Sequence, residues 1–239
     1  MIISVFLLCF NESALLPHTI KHYKKYLPSC NITILDNEST DNSVKIATEL
    51  GCRVVKWSSK NILDEFKQTA IKNNCWKYVK TGWIIMADMD EFLCVTEDDL
   101  NEEREKGSTI LKVLGCEMLG NSGTLDLSDI DLQEIKKYVD CPMESKKLCF
   151  LRENINEINY EYGAHACRPS GNRIQYSSTT YINKHMSILG LKFYINKYVS
   201  RHKRSENMRK HNMATHYTQN IIALEQNYKL QFNVCKMFK

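Results

Sequence analysis

The chain has 239 residues, 43% of them hydrophobic and 25% charged, with a net charge of +4; these values fit a globular protein of one large domain or two small ones. Nine glycines and four prolines exclude a collagen-like or long disordered chain, and the mild positive balance admits an anionic ligand but lacks the dense basic stripe of a nucleic-acid binder. The ten cysteines contain no CxxC pair, which argues against a zinc ribbon or a thioredoxin-like motif. Several sit in apolar runs (Cys9, Cys94, Cys149), where cysteine behaves as a small hydrophobe, and a reducing, cytoplasmic compartment is expected.

The opening run MIISVFLLCF has no positive n-region, is not followed by a small-residue cleavage site, and is too short to span a bilayer. It predicts a buried first strand over Ile2–Cys9, and no other segment is apolar enough to cross a membrane. Asn11-Glu12-Ser13 breaks the run, with Ser13 as a cap, and Leu16, Ile20, Tyr23 and Leu27 then recur at helical spacing up to Pro28. NITILD (Asn31–Asp36) is a second strand, and NESTD is a turn. Val44, Ala47 and Leu50 mark a second helix stopped by Gly51. CRVVKW is a third strand, Leu63, Phe66, Ala70 and Cys75 mark a third helix, and GWIIMAD is a fourth strand. Such alternation predicts an α/β fold, a mostly parallel sheet with helices on both faces.

The second half is less regular. TEDDL starts a helix with Thr96 as cap and Asp99 three residues on. STILKVLGCEML, KKLCFL, EINYEY and RIQYSSTTYI read as strands, and QNIIALEQNYKLQF as a closing helix. The expected organisation is a single domain, with a first half over 1–95, a second over 96–217 and a C-terminal helix over 218–239.

In parallel sheets of this kind, ligands bind beyond the carboxyl ends of the strands. Polar groups collect there: Asn11 and Glu12 after the first strand, Asp36 and Asn37 after the second, Asp88, Asp90 and Glu91 after the fourth. Three carboxylates at the end of a buried strand repel one another unless something positive lies between them. Asp-x-Asp on a loop suits Mg²⁺ or Mn²⁺, which takes one or two carboxylates and fills its remaining positions with water and phosphate oxygens. A nucleoside diphosphate is the ligand such an open sphere accepts, and the ion neutralises charge on a departing diphosphate. The bland reading makes Asp88 and Glu91 turn or cap residues.

CFNES after the first strand, LDNESTDNS after the second, IKNNCWK on the third helix and WIIMADMDEF, in this order, resemble the donor-binding half of family-two glycosyltransferases of GT-A (Rossmann-like) fold. GAHACRPSG, INKHMSILG and ATHY in the acceptor-side half resemble a subgroup from large DNA viruses and some bacteria, a more weakly specific match. The resemblance implies that Phe10, Asn11 and Glu12 line the nucleotide pocket. Asp36 then contacts the uracil or ribose, Lys72 and Asn73 lie near the diphosphate, Asp88 approaches ribose and metal, and Asp90 ligates the metal directly. It further implies a histidine completing the metal site, for which His185 is chosen, with His216 or His165 as alternatives. His165, in a Gly-flanked loop, is also placed to bond sugar hydroxyls. The basic run Arg201–Lys210 is read either as a clamp on the diphosphate or as a solvated face.

The resemblance implies a metal-dependent (Mn²⁺ or Mg²⁺) transfer from a nucleotide sugar, UDP-linked, to a carbohydrate hydroxyl, with inversion and a carboxylate base. The family's Glu-Asp motif is not visible. Asp140, Glu144, Glu153, Glu157 and Glu161 all remain open as the base, with Glu144 preferred for its irregular DCPMESK loop. Two rivals stand beside this reading. A nucleotidyltransferase would need a Gly-rich basic loop where CFNESALLP has no Gly, Lys or Arg. A non-catalytic carbohydrate-binding or virion protein on the same scaffold would not need the intact Asp88/Asp90 pair.

Overall fold

The computed structural model describes the chain apart from Gln219, Lys239 and the side chain of His216. The first half runs β1 (Ile3–Cys9), α1 (Leu16–Tyr26), β2 (Asn31–Asp36), α2 (Ser43–Glu49), β3 (Arg53–Lys56), α3 (Glu65–Asn74) and β4 (Trp83–Asp88). β1 is apolar apart from the buried Ser4 because both of its faces are covered. Val5 and Leu7 join Ile20 and Tyr23 of α1 in one buried cluster, whereas Phe6 joins Trp76, Ile84 and Phe150 in a second cluster on the opposite face. Each such side chain, fully withdrawn from water, contributes ~1.5–3 kcal/mol.

β1 is parallel to β2 and β4, and β2 is parallel to β3. Leu8 stands opposite Asp88 and Cys9 opposite Asp36, so the carboxyl ends of these strands are level. That register brings the polar segments after β1, β2 and β4 to one edge.

The second half adds β5 (Glu91–Cys94), α4 (Glu97–Glu105), β6 (Ile110–Leu119), β7 (Lys137–Asp140), β8 (Cys149–Leu151), β9 (Ile155–Glu157), β10 (Ser170–Gly171), β11 (Tyr176–Ile188), α5 (Leu191–Arg204), α6 (Glu206–Lys210), α7 (Ile221–Val234) and β12 (Lys236–Met237). The main sheet has the order β12-β7-β6-β8-β4-β1-β2-β3. β11 lies between β6, to which it is parallel, and β5, to which it is antiparallel. α4 begins with the expected capping box, in which Thr96 and Asp99 satisfy each other's backbone N–H groups. Among the described residues no helix is long and apolar enough to cross a membrane.

Several local expectations are corrected. Ser13 does not cap α1: the helix starts after Leu15 with Pro17 in its first turn, and the Ser13 backbone N–H donates to Asp41 instead. Leu63 precedes α3, whose cap is Asp64, and Phe66 is 43% exposed, with its ring against Tyr162. EINYEY is not a strand. β9 stops at Glu157, Asn159 turns the chain with φ +51°, and Tyr160 makes one bridge to Cys167. Its alternating Ile158 and Tyr160 both sink into the second cluster, held by the Asn73 side chain, which bonds both the N–H and the C=O of Tyr160. β11 begins three residues later than RIQYSSTTYI and runs on through His185, which therefore sits within a strand rather than after one.

Candidate active site

Asp88, Asp90 and Glu91 lie where β4 turns into β5, and the charge that separates them comes from the chain itself. Lys72 Nζ, from α3, is 2.8 Å from one oxygen of Asp88 and 3.0 Å from the other. Lys146 Nζ, from the loop before β8, is 2.7 Å from Glu91, 3.0 Å from Glu144 and 3.5 Å from Asp88. Glu91 also accepts the backbone N–H of Asp88 at 2.7 Å, which fixes the turn. Asp90 Oδ2 faces Lys197 Nζ at 2.6 Å, His185 Nε2 at 3.2 Å and Arg201 at 3.7 Å. One carboxylate pairs with α3, another with the β8 loop and the third with α5, so the motif ties three parts of the chain together.

Burial alone would favour the neutral acids here. For Asp88 the opposing attraction of Lys72 and Lys146 wins and holds the carboxyl well below the usual carboxylate range. For Asp90, burial is likewise outweighed, by Lys197, His185 and Arg201. Glu91 goes the other way: burial pushes it up against the pull of Lys146. Burial opposes a charged His185, yet Glu117 and Asp90 on its two sides raise it well above the usual histidine value.

His185 is aimed by the sheet. In β11 it pairs with Glu91 of β5 on one side and Glu117 of β6 on the other. Its Nδ1 is 2.6 Å from Glu117, whose other oxygen accepts the Ser187 hydroxyl at 2.8 Å. Nε2 is thereby turned toward Asp90. A histidine oriented by a carboxylate on its far nitrogen is a common arrangement behind metal ligands. Asp90 and His185 thus have the donor chemistry for Mg²⁺ or Mn²⁺, with the remaining positions left to ligand and water. Among the described residues, no three His, Cys, Asp or Glu side chains gather as a self-sufficient metal cage, and Asp88 is engaged by its lysines.

These groups line a cleft of about 1030 Å³ along the carboxyl ends of β1 and β4. Phe10, Asn11, Glu12, Lys72, Asp88, Asp90, Glu144, His165 and His185 all border it. Phe10 carries the Arg204 guanidinium 3.4 Å above its ring centre. Asn11, at φ +53°, accepts the Thr40 N–H at 2.7 Å and so fastens the loop after β1 to the turn after β2. Lys197 is 3.7 Å from Glu12. His165 Nδ1 bonds the Met143 carbonyl at 2.8 Å. Glu144 ends the short helical turn Pro142–Glu144; its carbonyl accepts the Asn183 amide at 3.2 Å. Burial opposes its charge, but His185 and Lys146 lower its pKa, so it stays ionised.

Two predicted residues are not brought to the cleft wall. Asn73 spends both ends of its amide on Tyr160. Asp36 is fully buried at the end of β2, where it accepts the Ser39 N–H, and its neighbour Asn37 lines the cleft in its place. The side chain of His216 lies outside the described residues. Sequence reasoning missed Lys146, Lys197 and Glu117. The signal for Lys197 was a helical row, Lys197, Arg201 and Arg204 at spacings of four and three; only the last two fell in the basic run that was singled out. Glu117 and Lys146 carry no signal of their own, because nothing in the chain order announces that β6 and the loop before β8 come to the carboxylates after β4.

Residues 4–94 match the model of glycosyl transferase family 2. No curated protein matches the chain. Among solved structures, TarS of S. aureus is similar at 12% identity and a TM-score of 0.52, over 83% of this chain and 40% of that one. Its 1–349 fragment in complex with UDP aligns at 12% identity and a TM-score of 0.49, over 98% and 71% of the two chains. Glucosyl-3-phosphoglycerate synthase from Mycobacterium tuberculosis, in complex with Mn²⁺, UDP and glucosyl-3-phosphoglycerate, aligns at 19% identity and a TM-score of 0.33, over 47% and 43%. The likeness to TarS is one of fold, the GT-A arrangement of sheet and helices. This chain spans less than half of that protein's length.

Proposed function

We propose that the chain is a family-two-like glycosyltransferase, a reading supported by the family match of residues 4–94 and the fold likeness to TarS, and that it moves a sugar from a UDP-sugar to a carbohydrate hydroxyl, with divalent metal and with inversion. The observation that carries this reading is the meeting of Asp90 with His185, 3.2 Å apart, beside Glu144 in one cleft. The donor half is residues 1–95 and the acceptor half residues 96–217, closed by the C-terminal helix from 218.

The nucleotide lies at the end bounded by Phe10, Asn11, Glu12, Asn37 and Trp57, with Asp36 beneath. The diphosphate meets Lys72 and the inward row of α5, Lys197, Arg201 and Arg204, cations suited to charge that grows as the bond to the sugar breaks. Asp90 and His185, with Asp88 alongside, would hold Mn²⁺ or Mg²⁺; when bound, the ion supplies Lewis-acid neutralisation of the departing diphosphate. Glu144 takes the proton of the acceptor hydroxyl. The freed oxygen forms its bond to the anomeric carbon from the face opposite the diphosphate, the carbon–oxygen bond to phosphate breaks, and the electron pair leaves with UDP. His165 hydrogen-bonds the transferred sugar.

Thermal unfolding with UDP and Mn²⁺ tests the reading. Ligand at 100 times its dissociation constant stabilises the fold by about 2.7 kcal/mol. Stabilisation by nucleoside triphosphates in preference to UDP would point to nucleotidyl transfer, and no response to either to a non-catalytic scaffold. A panel of nucleotide sugars, scored for UDP release, then names the donor.

A further inference from the structure

The cleft does not end at Asp90. It continues away from the nucleotide end into an arm walled by β6, β7, the start of α5 and α7, where Glu117, Asp140, Ser187, Tyr194, Asn227 and Gln231 line it. Among the described residues, five lysines and arginines border the cleft, and each is already engaged. Lys72 is held by Asp88, Lys146 by Glu91 and Glu144, and Lys197 by Asp90. Arg201 bonds the Tyr217 hydroxyl, and Arg204 reaches the carbonyls of Asn61 and Ile62. Two carboxylates face the arm, and the cations nearest them are committed: His185 lies between Glu117 and Asp90, and Lys236, outside the cleft, pairs with Asp140.

The remaining polar groups are neutral. Asn227 donates to the Tyr194 hydroxyl at 3.1 Å, which sets both side chains at the wall. Gln231 Oε1 is shielded from solvent and accepts no hydrogen bond among the described residues. A buried acceptor without a donor is costly, and a ligand that supplies an O–H removes the cost. Sugar hydroxyls donate, whereas an ionised phosphate or carboxylate only accepts and would meet, among the described residues of the arm, no uncommitted cation to pair with.

We infer that this arm is the acceptor subsite and that the acceptor is a hydroxyl-rich sugar carrying no negative charge, with Gln231 as a specificity-determining contact. The inference rests on the sugar-transfer reading for the word acceptor, but the binding it asserts is measured separately. Saturation-transfer NMR on the whole chain, with UDP and Mn²⁺ present, would be run with a panel of methyl glycosides and the phosphate esters of the same sugars. At least one neutral glycoside should bind, with its phosphate ester about tenfold weaker or absent. Gln231→Leu, close in size but without the amide, should weaken that glycoside about tenfold. The UDP-induced thermal shift, read in parallel, reports whether the variant is folded with its donor site intact; Tyr194→Phe is the second variant should it not be. Phosphate esters binding as well as or better than neutral glycosides would overturn the inference. So would the absence of binding by every neutral member, or unchanged binding in folded variants. A missing UDP shift in the parent would strike the donor reading alone, since the preference for neutral over phosphorylated sugar is still read directly.

Discussion

Lys146→Met offers the sharpest test of the electrostatic frame. The ammonium of Lys146, 4% exposed, serves Glu91, Glu144 and Asp88 together. Methionine keeps most of the volume and removes the charge. Asp88 retains Lys72, but Glu91, with no exposed surface, loses its only cation within 4 Å among the described residues. Deleting one partner of a buried ion pair costs ~3–5 kcal/mol, which in a domain of this size lowers the melting point by on the order of 10 °C. The cost must depend on pH. Burial already raises the folded-state pKa of Glu91 above its unfolded value, so its ionised form opposes folding, and the variant raises it further. The added penalty is absent while Glu91 stays protonated in both folded proteins, and it grows as pH rises from the parent's folded value of about 7 toward the variant's higher one, by about 1.4 kcal/mol per unit. Urea midpoints of parent and variant at pH 5 and pH 8 measure it. The deficit should be clearly larger at pH 8. A deficit equal at both values, or larger at pH 5, would refute the assignment of Lys146 as the counter-charge of Glu91.

Glu144→Gln should lower kcat by on the order of 10²–10⁴ with donor affinity retained, since a general base acts in the transition state; unchanged turnover passes the role to another carboxylate. Asp90→Asn should abolish the Mn²⁺ dependence of UDP protection in thermal unfolding, and equal Mn²⁺ response in parent and variant would move the metal elsewhere. His22 is buried neutral between the Leu93 carbonyl and the Gln133 amide, and burial lowers its pKa to about 4. Its folded value lies below the unfolded one, so stability is lost as pH falls from ~6.5 toward about 4, by up to about 3 kcal/mol. His22→Gln should flatten that part of the stability curve, and parallel parent and variant curves would show that the ring is already protonated in the fold.

The first half was legible because its rules are local. Apolar runs of strand length, helical spacings and turn residues predicted β1 to β4 with the helices between them, and parallel register then placed their polar ends together. α5 escaped notice for a physical reason. Its inward face carries Lys197 and Arg201 beside Phe193 and Tyr198, a pattern that looks solvated until a buried carboxylate is known to face it. EINYEY misled because alternation implies a pleated strand only when a partner strand is present; here the side chain of Asn73 holds the backbone instead. β5 was overlooked within a motif read for its charges, and its partner β11 lies some ninety residues further on. His185 was found through resemblance to a family, whereas its orientation follows from strand pairing that no short stretch of sequence displays.

The position of β11 between β5 and β6 has a consequence for synthesis and folding. β5 and β6 are complete by Leu119, yet the strand that joins them ends at Ile188. Until then a nascent chain carries two strand edges with unpaired N–H and C=O groups, the kind of surface that recruits other chains. Closing that gap is a late, long-range event. A shift of one residue in β11 would turn His185 to the opposite face of the sheet, so the step that hides the sticky edges also delivers the histidine to Asp90. Chains halted before β11 docks should aggregate rather than wait, and a chaperone would find its substrate in that interval.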